Sequence, residues 1–272
     1  MKDIIVYTCI IGDYDNYISF PKNLKEEGVD YIYITDNNKI KVEGYQMLYV
    51  DKIDNDKKIT NRYYKLKMNK LLKNYKYSIY YDGNVAVLNK LKPLLKYVEN
   101  HDIAMFDYFI FMNVYDQFLA KYRITGTSKQ EILNKRYKEY INDGWKDNQV
   151  NPSGKFIIRK HSEKLYDFMN DWFEDTKIIG RDEFTFHYNR WKHNINFNLV
   201  FSVNLFHYFT IYWHRHENGS HTGFNQIISP SKFKKISRIT KLKIGDYLMR
   251  IFQTFIYYFY LLIIFFKEKI SV

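Results

Sequence analysis

The stretch of this sequence best suited to chemistry is Asp82-Gly83-Asn84, which follows the short apolar segment Ser78–Tyr81. Tyrosine and isoleucine fit a buried pleated surface, so this segment is predicted to be an interior strand. In open α/β sheets, ligands bind beyond the carboxyl ends of the strands. A carboxylate and an amide oxygen there suit a hard divalent cation, and the glycine lets the backbone turn tightly. Such a cation can hold the phosphates of a nucleotide.

The same stretch has a second interpretation. An Asp-Gly pair between two apolar runs is a strong signal for a β-hairpin. The apolar residues that follow Asn84 would then form the returning strand. Taken alone, the stretch favours this hairpin, and only its neighbours in the fold can decide between the two.

A second candidate site begins with the predicted strand Ile4–Ile11, which runs into Gly12, Asp13 and Tyr14. Nucleotide-binding α/β domains begin with a strand that feeds a glycine turn. One glycine is far short of a dinucleotide fingerprint. Tyr14 is suited to stack on a base, or it is a surface aromatic in a turn.

The next predicted strand, Tyr31–Thr35, ends at Asp36. An acid at the end of the second strand is placed to meet a ribose or a base edge. The alternative is an ordinary turn residue, because Asp favours turns in any protein.

Basic residues lie on a predicted helix over Thr60–Asn74, with Thr60 as its N-cap. Arg62, Lys65 and Asn69 fall at spacings that place them on one helix face. This face can supply cations for a diphosphate. The alternative is a solvated basic face, because further lysines surround the helix.

Arg181 and Asp182 precede the predicted helix Phe184–Trp191. Asp182 is either a helix cap or a carboxylate that binds a sugar hydroxyl or takes part in catalysis. Further along, His214 and His216 are spaced to lie on the same side of a strand, so one imidazole is a candidate metal ligand. Burial in the core or exposure to solvent is the alternative for each.

Further predicted elements alternate between strands and helices, as expected for an α/β protein. The additional strands are Met47–Val50, Ile103–Phe106 and Lys155–Arg159, and the additional helices are Leu91–Asn100, Ser128–Tyr140 and Glu163–Phe173. With 272 residues, of which 46% are hydrophobic, the chain is large enough for one substantial core plus an appendage. We predict a folded domain over residues 1–230 and a tail over residues 231–272.

The tail is basic and aromatic. The net charge of the chain is +12, and more than half of this excess lies beyond residue 230. Ile251–Phe266 contains no charged residue and is flanked by Arg250 and Lys267. This pattern is typical of an interfacial helix on an anionic membrane leaflet. A helix packed on the body, a dimer contact and a shallow span are the alternatives.

The amino terminus enters its first strand without a cleavable signal pattern, and the single cysteine, Cys9, is expected to be an inert core thiol. We therefore predict a cytoplasmic protein that is peripheral to the inner face of the membrane. Nucleic-acid binding is disfavoured, because the basic excess lies beside an apolar segment that RNA would not need.

Several of these stretches occur in the order found in the mucilage-related glycosyltransferase-like family of bacteria and plants, long catalogued as a domain of unknown function. The chain resembles this family in YTCIIGDYDN, in YIYITDN, in R-x-x-K leading to YSIYYDGNV, and in Trp172-Phe173 followed by RDEF. The resemblance extends from residue 4 to about residue 192, and the joint order and spacing of the motifs carry it.

This resemblance implies an α/β, GT-A-like (Rossmann-like) mixed sheet flanked by helices, ahead of the C-terminal helical tail. It places Asp82-Gly83-Asn84 where the family has its Asp-x-Asp metal motif, and it implies a nucleotide-sugar donor. Charged positions of the family motif are matched by Arg62, Lys65, Arg159, Arg181 and Asp182.

Together, the residues and the resemblance predict a metal-dependent glycosyltransferase that uses Mn²⁺ or Mg²⁺ and a nucleoside-diphosphate sugar, with a UDP-sugar expected. The acceptor would be a polysaccharide or a lipid-linked glycan. Candidate metal ligands are Asp82, Asn84 and His214. Candidate donor-binding residues are Thr8, Gly12, Asp13, Tyr14, Asp36, Arg62, Lys65, Asp82, Gly83 and Arg159. Candidate catalytic residues are Asp182 and Arg181.

Departures from the family pattern leave a second hypothesis open. Asn69 stands where the family usually has His, and Glu183 stands where it usually has Gln. The alternative is a non-catalytic, membrane-attached carbohydrate-binding or scaffold protein with a degenerate glycosyltransferase fold.

Overall fold

The computed structural model describes residues 3–12, 15–67, 69–107, 113–115, 127–201, 204, 207–211 and 227–228. The strands are β1 (Ile4–Ile10), β2 (Tyr17–Ile18), β3 (Val29–Thr35), β4 (Gln46–Tyr49), β5 (Tyr77–Tyr81), β6 (Val85–Val87), β7 (Ile103–Asp107), β8 (Pro152–Lys160), β9 (Phe197–Val200), β10 (Phe209–Ile211) and β11 (Ile227–Ile228). The α-helices are α1 (Lys57–Leu66), α2 (Asn69–Leu72), α3 (Thr127–Asn142), α4 (Glu163–Ile179) and α5 (Asp182–Lys192), with 3₁₀ turns at Lys22–Leu24 and Lys92–Val98.

Seven of these strands form one mixed sheet in the order β4-β3-β1-β5-β8-β7-β9. β1 runs parallel to both β3 and β5, whereas β8 is antiparallel to its neighbours β5 and β7. β5 therefore lies in the middle of the sheet, between a parallel and an antiparallel neighbour. The predicted fold class, an α/β mixed sheet flanked by helices, is confirmed.

Side chains alternate between the two faces of the sheet and build a core on each. On β1, Tyr7 and Cys9 contribute to the core beneath α1, α4 and α5, whereas Ile4 and Val6 point to the opposite face. That second core includes Leu94 and other residues of the 3₁₀ turn after β6. Cys9 is fully buried, as predicted for a core thiol.

Two predicted helices differ from those observed. The helix that carries Arg62 begins three residues earlier than predicted, because Asp56 rather than Thr60 is its N-cap and accepts a hydrogen bond from the backbone of Lys58. It ends at Leu66, and α2 is a separate short helix. The predicted helix Leu91–Asn100 is a 3₁₀ helix over Lys92–Val98.

The two helices after β8 are confirmed, and both extend beyond their predicted bounds. α4 is capped by the Ser162 hydroxyl, which accepts from the backbone of Leu165. It ends at Ile179, and its C-cap is Gly180, whose φ of 75° belongs to the left-handed region that favours glycine. α5 follows at once, so the Gly180 turn fixes the position of the first residue of α5.

The predicted tail, residues 231–272, and His214 lie outside the described residues. Within the part of the chain that the structure describes, no helix is both long and apolar enough to cross a bilayer.

Candidate functional site

Asp82 lies directly beyond the carboxyl end of β5, at a turn that joins two different sheets. The backbone N–H of Val85 donates to the Asp82 carbonyl over 3.1 Å, which closes the turn. β6 then leaves the main sheet and pairs antiparallel with β10. The hairpin interpretation is therefore wrong, because β5 and β6 do not pair. The Asp82 side chain remains 32% exposed at the strand end.

Gly83 and Asn84 complete this turn. A Cβ on Gly83 would lie 2.4 Å from Cγ1 of Ile10, so the turn packs against β1 too closely for any other residue. Oδ1 of Asn84 is buried and has no hydrogen-bond partner among the described residues. An orphaned amide oxygen two residues from a partly exposed carboxylate is a donor set that fits a hard divalent cation.

Two basic side chains of α1 lie beside this turn and meet a buried carboxylate of α5. Lys65 Nζ is 2.5 Å from Oδ2 of Asp182 and 3.6 Å from Oδ1 of Asp82. Arg62 Nε is 3.5 Å from the other carboxylate oxygen of Asp182. The Lys65 and Asp182 side chains are only 7% and 5% exposed. The first turn of α5 thus supplies the counter-charge for Arg62 and Lys65.

The protonation states follow from these contacts. Burial lowers the pKa of Lys65, but the charges of Asp182 and Asp82 more than offset this, so its pKa is raised. Burial raises the pKa of Asp182, but the neighbouring Lys65 and Arg62 outweigh it and hold its pKa well below the usual range. Both groups are therefore charged at neutral pH. The capping interpretation of Asp182 is wrong, because Arg181 is the N-cap residue of α5.

Arg159 lies beneath this cluster and is fully buried. Its guanidinium donates to the Tyr7 hydroxyl and to the backbone carbonyl of Lys65, each over 2.8 Å. The Tyr7 hydroxyl donates to the same carbonyl over 3.0 Å. Arg159 therefore satisfies a carbonyl in the last turn of α1 and holds the backbone of Lys65. The sequence predicted a donor-binding residue here, but the guanidinium is fully buried.

Gly154 and Lys155 of β8 form the remaining wall of the cluster. A Cβ on Gly154 would lie 2.5 Å from Asp182 Oδ2 and 2.8 Å from Lys65 Nζ, so only glycine leaves room for this ion pair. The Lys155 carbonyl accepts from the backbone N–H of Asp82 over 3.0 Å. Burial lowers the pKa of Lys155, and the charges of Asp82 and Glu183 oppose that shift. Lys155 is thus a third cation beside Asp82.

Gly12 and Asp36 meet at the carboxyl ends of β1 and β3. The Gly12 N–H donates to Oδ1 of Asp36 over 2.7 Å, and the Gly12 carbonyl accepts from Lys57 Nζ over 3.2 Å. Gly12 has a φ of 79°, and a Cβ there would run into the Lys57 side chain. Lys52 lies 3.5 Å from the other Asp36 oxygen. Asp36 therefore fixes the turn that follows β1, and its carboxylate also lies beside the ammonium of Lys52.

A family model described as the TOD1/MUCI70 glycosyltransferase-like domain matches residues 34–212, which is about two thirds of the chain. The protein belongs to the TOD1/MUCI70 glycosyltransferase-like family. The family predicted from the sequence motifs is thereby confirmed, and the matched residues include Arg62, Lys65, Asp82 and Asp182.

Among solved structures, the chain matches the crystal structure of mouse xyloside xylosyltransferase 1 in its apo form. It is 6% identical in sequence, covers 74% of this chain and 86% of that chain, and has a TM-score of 0.41. No curated protein matches this sequence.

Other predicted site residues of this TOD1/MUCI70 family member take different positions. Thr8 is buried within β1, on the face opposite Tyr7, and its hydroxyl has no hydrogen-bond partner among the described residues. Arg181 is half-buried at the start of α5. Asp13, Tyr14 and His214 lie outside the described residues. Within the described residues, no group of three or more His, Cys, Asp or Glu side chains is arranged to hold a metal.

Lys155 and Gly154 are members of the site that the sequence did not reveal. So is Tyr80, whose hydroxyl donates to Oδ1 of Asp82 over 2.9 Å. Lys155 and Gly154 come from β8, which reaches Asp82 only through antiparallel pairing with β5. Tyr80 resembles any other aromatic residue of a buried strand. The one signal in the sequence was its position two residues before Asp82, because side chains two apart in an extended chain project from the same face.

Proposed function

We propose that this family member is a metal-dependent glycosyltransferase that takes a sugar from a nucleoside-diphosphate sugar. The proposal depends on the polar and charged groups that lie next to Asp82. Its partly exposed carboxylate lies at the end of the central strand, 3.6 Å from Lys65 and two residues before Asn84, whose amide oxygen is buried without a partner among the described residues. Cation ligands next to fixed positive charge are suited to binding a diphosphate.

In this proposal Asp82 and Asn84 would hold Mn²⁺ or Mg²⁺. When bound, the cation would neutralise the charge that develops on the departing nucleoside diphosphate. Lys65, Arg62 and Lys155 supply further positive charge beside the same turn. Because Asp182 is buried against Lys65 and Arg62, it keeps these two cations charged and in place rather than taking a proton from the acceptor.

The donor's nucleoside is assigned to the neighbouring strand ends, where Gly12 and Asp36 meet. Asp36 presents a carboxylate to a ribose or base edge, and Lys52 and Lys57 border the same turn. We propose a UDP-sugar as the donor. The proposed acceptor is a polysaccharide or a lipid-linked glycan, reached from the cytoplasmic face of the membrane through the basic tail.

The test is the binding of UDP in the presence of Mn²⁺, measured by calorimetry and by thermal stabilisation. We expect Mn²⁺ to strengthen UDP binding and chelator to reverse this effect. The Asp82→Asn variant should lose the Mn²⁺ effect while keeping its fold, because its amide is nearly the same size as the carboxylate. Hydrolysis of a panel of nucleoside-diphosphate sugars would then identify the donor.

Asp30→Asn is the matched control. Asp30 lies near the opposite end of the sheet, where its carboxylate accepts from the Tyr75 hydroxyl over 2.8 Å. This variant should bind Mn²⁺ and UDP like the native protein. Equal UDP binding with Mn²⁺ and with chelator would contradict metal dependence and would favour the non-catalytic binding or scaffold alternative.

A further inference from the structure

Tyr80, the penultimate residue of β5, contacts two of the charged groups in the site. Its hydroxyl donates to Oδ1 of Asp82 over 2.9 Å. Its ring lies beneath the ammonium of Lys65, with Nζ 5.4 Å from the ring centroid. The hydrogen bond constrains the Asp82 carboxylate. The negative face of the ring stabilises the positive charge of the Lys65 ammonium. A single side chain thus touches both the proposed metal ligand and its neighbouring positive charge.

The Tyr80 ring is itself held rigidly. It is 1% exposed and packs against the Tyr7 ring, with centroids 5.2 Å apart. Tyr7 is fixed in turn by hydrogen bonds with Arg159 and with the Lys65 carbonyl. The orientation of the Tyr80 hydroxyl is therefore set by the core of the protein rather than by solvent.

The alternation of side chains along β5 explains why Tyr80, and not Tyr81, reaches the site. Tyr80 and Asp82 are two residues apart, so they project from the same face, beneath α1. Tyr81 projects to the other face, where its hydroxyl lies 2.6 Å from that of Tyr45. Both tyrosines are 1% exposed. Two adjacent, equally buried tyrosines therefore differ in whether they reach the site.

We infer that Tyr80 is a positioning residue for the cation that Asp82 binds. This inference rests on the proposed metal site. The Tyr80 hydroxyl occupies one acceptor position on Oδ1 and restricts rotation of the carboxylate, so that the remaining acceptor positions face the cation in a fixed arrangement. Outer-shell hydrogen bonds of this kind tune the affinity of a metal site without touching the metal.

The test compares Tyr80→Phe with Tyr81→Phe in the full chain. The first substitution removes only the hydroxyl that reaches Asp82 and keeps the ring beneath Lys65. The second removes an equally buried hydroxyl on the opposite face. The readout is Mn²⁺ affinity at saturating UDP, measured by calorimetry, together with UDP affinity in chelator and the melting temperature of each protein.

We expect Tyr80→Phe to weaken Mn²⁺ binding about 10- to 100-fold, as is typical when an outer-shell partner is lost. UDP affinity in chelator should stay at the native value. Tyr81→Phe should bind Mn²⁺ within about 2-fold of the native protein. Both variants lose one buried hydrogen bond, so their melting temperatures should fall by similar amounts.

Native Mn²⁺ affinity in Tyr80→Phe would overturn the positioning role. The proposed function would survive that result if Asp82→Asn still lost the Mn²⁺ effect. Equal losses of Mn²⁺ affinity in Tyr80→Phe and Tyr81→Phe would also overturn the role, because they would indicate general loosening of the strand. Absence of Mn²⁺ binding in the native protein would refute both the positioning role and the metal dependence.

Discussion

Lys65 Nζ lies 2.5 Å from Asp182 Oδ2, and both side chains are almost completely buried. Moving two charges out of water is costly, and their attraction offsets this cost only while both partners are present. The pair joins α1 to α5 across the carboxyl end of β5. The pair therefore ties Lys65 of α1 to the first turn of α5 and holds its ammonium beside Asp82.

Removal of one partner should destabilise the protein strongly. We predict that Asp182→Asn lowers the free energy of unfolding by about 3–5 kcal/mol, because Lys65 and Arg62 lose their buried counter-charge. Urea denaturation followed by circular dichroism measures this. The double variant Lys65→Met with Asp182→Leu should cost much less than the sum of the two single changes.

The exposed ion pair between Lys22 and Glu43 provides a control. Its side chains are 75% and 67% exposed. Glu43→Gln should leave the free energy of unfolding unchanged within error. An Asp182→Asn variant as stable as Glu43→Gln would show that the buried pair contributes nothing to the fold.

Gly154→Ala tests the site by sterics alone. A methyl group there would lie 2.5 Å from Asp182 Oδ2 and 2.8 Å from Lys65 Nζ, so the ion pair must separate. We predict a loss of about 1–3 kcal/mol in stability, which is typical of overpacking, together with at least about 10-fold weaker UDP binding. Thermal melts and calorimetry measure the two effects.

Gly180→Ala is the matched control for this substitution. Gly180 has a φ of 75°, and a Cβ there would meet no atom within 4 Å among the described residues. Its replacement costs about 1–2 kcal/mol through backbone strain but leaves the site intact. Comparable UDP affinities in the two variants would argue that the space at Gly154 does not matter for binding.

Lys155 should contribute to recognition of the diphosphate rather than of the nucleoside. We predict that Lys155→Met weakens UDP binding about 10-fold or more and leaves uridine binding unchanged, because a charge-assisted contact is lost. Lys155→Arg should retain most of the affinity. Lys160→Met is the control, since that lysine lies at the far end of β8 and donates to the Glu99 carbonyl.

The pH dependence provides a second readout for Lys155. Because burial lowers its pKa, the lysine loses its proton at a lower pH than an exposed lysine does. UDP affinity of the native protein should therefore fall as pH rises towards the ordinary lysine range near 10.4. The Lys155→Arg variant should show no such fall, because arginine stays charged. Parallel pH profiles of UDP affinity in the native protein and in Lys155→Arg would show that Lys155 does not cause the pH dependence.

His161 should make the fold sensitive to mild acid. Its Nδ1 donates to the carbonyls of Leu72 and Tyr75, and its Nε2 accepts from the Ser78 hydroxyl over 2.8 Å. Burial lowers the pKa of His161 to about 4. Since the unfolded chain takes up this proton near pH 6.5, stability should fall as pH drops from about 6.5 to about 4.

The size of this effect follows from the pKa difference and is about 3 kcal/mol when complete. His187, whose pKa burial lowers to about 3, acts in the same direction. Denaturation at pH 7.5, 6 and 5 measures the slope, which His161→Asn should reduce. An unchanged slope in that variant would rule out His161 as a source of acid sensitivity.

Much of the site was predictable because strand ends are visible in the sequence. Asp82 and Asp36 each follow an apolar segment of strand length, and Gly12 follows another. The helical spacing of Arg62 and Lys65 placed both on one face, and both contact the same carboxylate in the structure. Local spacing alone was sufficient for these residues.

The remaining contacts depend on packing between segments that are distant in sequence. Asp182 was a candidate site residue, but its pairing with Lys65 depends on α4, which packs against both α1 and α5. Lys155 meets Asp82 through antiparallel strand pairing, which no local pattern specifies. Arg159 matched a family position, yet only the fold reveals that its guanidinium is buried and donates to the Tyr7 hydroxyl and the Lys65 carbonyl.

Because the chain passes from one sheet to another at Asp82, truncating the protein after the charged residues of the site would still remove part of the support for the Asp82 turn. The strand partner of β6 is β10, and Phe209 of β10 packs on Phe156 with ring centroids 4.4 Å apart. A fragment ending at Lys192 would retain every charged side chain of the cluster. It would lack the ladder that anchors the exit of the turn, and so would be expected to fold in part yet recognise its ligands poorly.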